Sequence, residues 1–210
     1  MIYEQTKDLL SKIKKLRTAD VDKIAYQYLE DEVDVSALYP HIKESGAIHR
    51  IYFVVSLQSI KTLEYQLQFI EDHFSDLNDW WHVDLFPQLL RKGPKFDFVY
   101  QKAKKYCKSP LLFARRWGYV IFLTGWQKDP SNTKKILSLF HDDDEYYVQM
   151  GEAWLLADLT IYNPEECLEY IASKLLKYNI IGKAIQKICD SFRIPDDVKN
   201  KVKELRKLYK

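Results

Sequence analysis

The chain has 210 residues, 47% of them hydrophobic and 30% charged, with a formal net charge of +2, a balance that supports one sizeable core and excludes a disordered or fibrous polypeptide. No apolar run approaches the roughly 18 residues of a membrane span, and Met1-Ile2-Tyr3-Glu4 opens no signal-peptide pattern, so a cytoplasmic protein with no membrane partner is expected. Cys107, Cys167 and Cys189 are odd in number and widely spaced, without a CxxC pair, which points to free thiols in a reducing compartment.

Hydrophobic spacing predicts helices throughout. Residues 2–16 and 19–30 carry Ile2, Leu9, Leu10 and Ile13, then Val21, Ile24, Ala25 and Tyr28, at helical intervals and read as an antiparallel pair. The acidic stretch Glu30–Asp34 follows, and Pro40 is expected to interrupt the segment 35–44. The apolar run 48–60 and the stretch 62–74 form a second pair; Tyr52-Phe53-Val54-Val55 would pass for a strand alone, but its length and neighbours favour helix.

From residue 78 onward caps and prolines mark the boundaries. Asn78 or Asp79 caps a helix from Trp80 to Leu90 that Pro87 kinks or shortens, and Gly93-Pro94 stops it. Helices then follow over 94–107, 111–126, 133–140, 146–162, 167–176, 182–192 and 196–208. First members of these pairs begin near 78, 110 and 145 and second members near 95, 131 and 164, a period of about 32 to 36 residues. Stacked helical hairpins have that period, so the expected fold is all-α, a single α-solenoid domain over 1–210 of about six antiparallel helix pairs curving round a concave face.

Charge is unevenly divided: residues 1–80 carry a net of −5 and residues 81–210 a net of +7. The second part is therefore expected to offer a surface to a polyanion, with Arg91, Lys92, Lys134 and Lys135 as rim candidates, although scattered lysines on outward helix faces give the same count.

The residues with the most pointed chemistry are Trp80-Trp81-His82-Val83-Asp84. A spacing of four puts Trp80 and Asp84 on one helix face, where an indole and a carboxylate together favour positive charge and can position a water. A core tryptophan beside a hydrogen-bonded aspartate satisfies the same spacing. Arg116 stands among Leu112, Phe113, Tyr119 and Val120 and needs a partner there, either Asp84 in an internal pair or a phosphate of a ligand. Arg115 is the outward alternative. Trp154 lies near Met150 and Gly151, the glycine leaving room beside the indole for a ligand or for close helix packing. His82, two residues from Trp80, faces elsewhere. His141 before the acidic run 142–145 is no metal centre, because acids at a helix start complement its dipole without an ion. The chain contains no HExxH, GxxxxGK[ST], GxGxxG or GxSxG.

Trp80 with Asp84, Arg116 in Phe-Ala-Arg-Arg-Trp-Gly and Trp154 in Val-Gln-Met-Gly-Glu-Ala-Trp stand in the order and register of the AlkD-like DNA alkylation repair proteins, built from HEAT-like repeats. The resemblance covers roughly residues 75–210. It implies a glycosylase acting on N3- and N7-alkylated purines in double-stranded DNA, without cofactor or metal, and a monomer. It further implies that Asp84 supplies the anion and orients water, that Trp80 and Trp154 press on the deoxyribose, and that Arg116 holds a backbone phosphate. Trp81, Met150 and Ala157-Asp158 depart from the family's pattern, and Glu30–Asp34 is acidic where such enzymes grip the duplex with basic residues. A divergent, non-excising DNA-binding or scaffold protein with the same cleft residues is therefore the alternative.

Overall fold

A computed structural model of the chain describes residues 1–93 and 95–209, and every regular element among them is helical. They fall into two compact units, one of residues 1–76 with 89–91, the other of residues 77–88 and 92 onward.

The first unit contains α1 (Ile2–Ser11), α2 (Thr18–Glu30), a 3₁₀ segment (Ser36–His41), α3 (Gly46–Ser59) and α4 (Leu63–Asp72). α1 stops five residues before its expected end, where Lys12, Lys14 and Lys15 offer no apolar surface to bury. Pro40 does not interrupt its segment. The tight turns there are closed by the Leu38 and Ile42 amides, so the missing proline N–H costs no bond. α3 is buried on nearly every face, which explains why its apolar run reads so ambiguously. Ser45 and Thr62 cap α3 and α4 through their hydroxyls, and Arg50 forks onto both oxygens of Asp22 (2.6 and 3.0 Å) to hold α3 against α2.

The second unit runs through α5 (Trp80–Asp84), α6 (Phe96–Tyr106), α7 (Leu112–Val120), α8 (Thr133–Leu137), α9 (Tyr146–Tyr162), α10 (Pro164–Ala172), α11 (Tyr178–Asp190) and α12 (Asp196–Arg206). Its odd-numbered helices begin 32, 34 and 32 residues apart, and they pack in succession: α5 on α7, α7 on α9, α9 on α11. α6, α10 and α12 lie against their partners α7, α9 and α11. α9 buries residues on all sides, from Val148 and Gly151 to Leu156 and Leu159, because it is covered by α7, α10 and α11 together.

Several boundaries in the second unit differ from the sequence expectation, three of them with a local cause. α5 ends at Asp84 and passes into a single 3₁₀ turn, Phe86–Gln88, since the ring of Pro87 cannot continue an α-helix. α7 gives way after Val120 to 3₁₀ turns broken by Gly125, whose φ of 138° is open to glycine and strained for other residues. α11 begins four residues early, at Tyr178, because Ile180, Ile181, Ala184, Ile185 and Ile188 make one continuous apolar stripe. The expected stop at Gly93-Pro94 lies partly outside the described residues. Gly118 lets α7 approach the end of α6 closely: a side chain there would meet Cys107 Sγ at 2.5 Å and the Cys107 amide nitrogen at 2.8 Å. Cys107 and Cys167 are buried free thiols, and burial pushes both up to about 12.

Candidate functional site

α5 is only five residues long, so its two ends define it. The Asp79 carboxylate caps it, accepting from the Trp80 amide (2.7 Å) and from Trp81 Nε1 (3.1 Å). The cap turns Trp81 back onto the helix start. His82 is buried with its ring edge-on to Trp81, and burial pulls its pKa down to about 4, so it is a neutral packing residue at physiological pH. Trp80 and Asp84 are left on the remaining face. Trp80 is 46% exposed.

That face opens on a cavity of about 290 Å³ lined by Trp80, Asp84, Arg116, Tyr146, Tyr147, Met150, Trp154 and Lys187. Four helices build it: α5, α7, α9 and α11. All four residues that the sequence marks for the cleft are therefore on one wall system, and Tyr146, Tyr147 and Lys187 are lining residues that sequence reasoning missed. Tyr146 and Tyr147 stand at the start of α9, rings 5.5 Å apart and nearly perpendicular. Lys187 had no signal beyond its position in the last turn of an amphipathic helix.

Arg116 is 4% exposed, and its partner is the aspartate. Nε and Nη2 donate to the two oxygens of Asp84 (2.9 and 2.8 Å), and Nη1 donates to the Tyr147 carbonyl (2.6 Å). The guanidinium thus serves the internal pair; the phosphate role expected for it is not what its principal hydrogen bonds show. This bidentate fork fixes the Asp84 carboxylate in one orientation, while a carboxylate's roughly four lone-pair positions leave about two for a ligand or water. Gly151 faces this arginine and not the Trp154 indole: a Cβ there would lie 3.4 Å from Arg116 Cγ and 3.5 Å from Nη1. The glycine lets α9 come close to the ion pair.

A second polar layer holds the segment that leads into α9. Arg115 binds Asp143 (2.7 Å) and the carbonyls of Ser109 and Pro110, so it too is structural. Gln149 donates to the Asp143 carbonyl, and Glu152 accepts from the His141 amide (3.2 Å). Glu152 is fully buried, and that burial raises its pKa to about 8 despite the amide, so at neutral pH it is largely protonated. The raised value carries a sign for stability. The benefit of the neutral acid is complete below the unfolded value near 4.5 and is lost as pH rises to about 8, with a slope approaching about 1.4 kcal/mol per pH unit in that window. Urea unfolding at pH 5, 6.5 and 8 should therefore show stability falling across the series in the wild type and falling less in Glu152→Gln. Parallel pH dependence in the two proteins would mean that Glu152 is already ionised.

The expected rim cations are not among the residues lining this cavity. Arg91 belongs to the first unit, where its guanidinium donates to the carbonyls of Gln58 and Ile60 at the end of α3. Lys92 lines a separate small cavity with Thr124, Gly125 and Trp126. Lys134 pairs with Glu166 (3.2 Å), and Lys135 pairs with Asp97 (2.8 Å) while its ammonium lies 5.7 Å from the Phe96 ring centre. Of the five cations read as DNA contacts, Arg116 alone lines the Trp80 cavity, for none of Arg91, Lys92, Lys134 and Lys135 does so. Charge counting finds cations but not the local carboxylates and carbonyls that engage them, which only packing brings together.

No helix among the described residues is long and apolar enough to cross a membrane. No match was found among curated proteins or among solved structures. A family model described as DNA alkylation repair enzyme matches residues 13–188, well over half of the chain and all four helices of the cavity up to Lys187. The chain belongs to the DNA alkylation repair enzyme family.

Proposed function

We propose that this protein hydrolyses the N-glycosidic bond of N3- or N7-alkylated purines in double-stranded DNA, within a HEAT-like solenoid whose concave face is formed by α5, α7, α9 and α11. The regular spacing of those helices and their packing in succession support the solenoid. One observation carries the chemistry: a carboxylate held rigid by an arginine fork lies in a small cavity with two tryptophans and two tyrosines.

An alkylated purine already bears positive charge, so it leaves as a neutral base and needs no strong general acid. As the bond lengthens, the charge moves to the sugar ring. Asp84 provides a fixed anion for that oxocarbenium-like sugar, and its unused lone pairs orient the attacking water. The faces of Trp80 and Trp154 add quadrupole stabilisation and exclude solvent. Arg116 contributes by positioning, because a carboxylate whose angle is already set requires no reorganisation when charge develops.

The second reading, a DNA-binding protein that does not excise, is favoured by the pairing of Lys134 with Glu166 and of Lys135 with Asp97, which weakens the grip on a duplex. Purified protein incubated with a duplex containing 7-methylguanine decides between them. Release of the free base at a rate above spontaneous depurination is the expected result. Binding to the same duplex without release supports the second reading, and neither binding nor release defeats both.

A further inference from the structure

The charge of the cavity says more about its ligand than its aromatic lining does. Asp84 and Arg116 cancel, and Lys187 then leaves the cavity with an excess of one positive charge. Lys187 has no ion pair or hydrogen bond with any described residue, unlike Arg115, Arg116, Lys134, Lys135 and Arg193, each of which meets a carboxylate. Its position is set by its helix. The isoleucine stripe of α11 packs on α9, and one turn before Lys187 the ammonium of Lys183 bridges Gln149 on α9 (2.9 Å) and the Asn179 carbonyl (2.9 Å). Lys183 is committed, while Lys187 is carried to the cavity wall uncommitted.

A net positive cavity disfavours a free cationic base or nucleoside, whose charge would add to that of Lys187. A nucleotide within a strand brings its own anion, the phosphodiester, and balances it. We propose that Lys187 binds the backbone phosphate next to the alkylated nucleotide, and that this site consequently takes its substrate as a strand-linked nucleotide and not as a free nucleoside. The inference rests on the glycosylase reading above and assigns to α11 the phosphate contact that Arg116, locked to Asp84, is not placed to make.

The test compares wild type, Lys187→Gln and Lys187→Arg on duplexes carrying one 7-methylguanine, with either normal linkages or a neutral methylphosphonate at each linkage flanking the lesion. Thermal unfolding by circular dichroism first establishes that the variants fold, which a partly buried lysine without a hydrogen-bond or ion-pair partner among the described residues should permit. Losing one charge-assisted contact should weaken Lys187→Gln by roughly tenfold or more, chiefly in KM, and Lys187→Arg should recover most of it. The slope of log affinity against log salt should fall by about 0.9 in Lys187→Gln. A methylphosphonate at the contacted linkage should impair wild type yet add little to the loss in Lys187→Gln. Equal salt slopes in wild type and Lys187→Gln, or a methylphosphonate penalty equal in both, would overturn the assignment while leaving the glycosylase reading intact. Release of base from free 7-methyldeoxyguanosine as fast as from duplex would also overturn it. A wild type that neither binds nor processes any duplex would sink the underlying reading, and this inference with it.

Discussion

Asp84→Asn is expected to slow base release by ~10²–10³, the usual cost of removing one preorganised electrostatic group from an active site. The asparagine keeps the shape of the side chain but presents an amide N–H₂ toward a guanidinium that already donates, so Arg116 loses one of its two acceptors in the pair. A stability loss of about 1–3 kcal/mol should accompany the rate loss, as for a buried donor left unsatisfied. Single-turnover release measured well below the melting temperature of the variant separates the two effects. Trp80→Ala and Trp154→Ala should each lose less, because a cation–π contact contributes about 0.5–1 kcal/mol when exposed and about 2 when desolvated. Wild-type turnover by Asp84→Asn would make the carboxylate purely structural and move the reading to a non-excising protein.

Arg116→Ala is expected to destabilise the fold by about 3–5 kcal/mol, since it leaves the Asp84 carboxylate and the Tyr147 carbonyl without their buried partner. Lysine should recover only part of this, because an ammonium cannot reproduce the planar fork onto two oxygens. The double variant Asp84→Ala with Arg116→Ala should lose less than the sum of the single losses, which a cycle of chemical denaturation measurements will show. DNA affinity supplies the contrasting readout. If Arg116→Ala melted like wild type but lowered the salt slope by about 0.9, its guanidinium would be serving a phosphate and not Asp84.

What lies in the sequence alone is what depends on local periodicity. The repeat of helix pairs, the cap at Asp79, the break at Pro87 and the shared face of Trp80 and Asp84 all follow from the order and spacing of residues along the chain, and each α-helix overlaps an expected one. α9 was legible to its ends because the acidic entry and Asn163-Pro164 bound it on both sides. Its role as the buried centre of the second unit was not, since an all-apolar helix does not say which neighbours cover it. The tertiary structure decided every question of partnership. Arg116 had two candidate partners in the sequence, and the packing of α5 on α7 chose Asp84, 32 residues away, with the Tyr147 carbonyl as a third acceptor. Tertiary packing likewise engaged Lys134 and Lys135 with carboxylates and brought Lys187, whose helix carries no motif, to the cavity wall. The physical reason is one of range: helix formation and capping are governed by contacts within about four residues, whereas the state of a charge depends on whichever distant group folding places within about 3 Å of it.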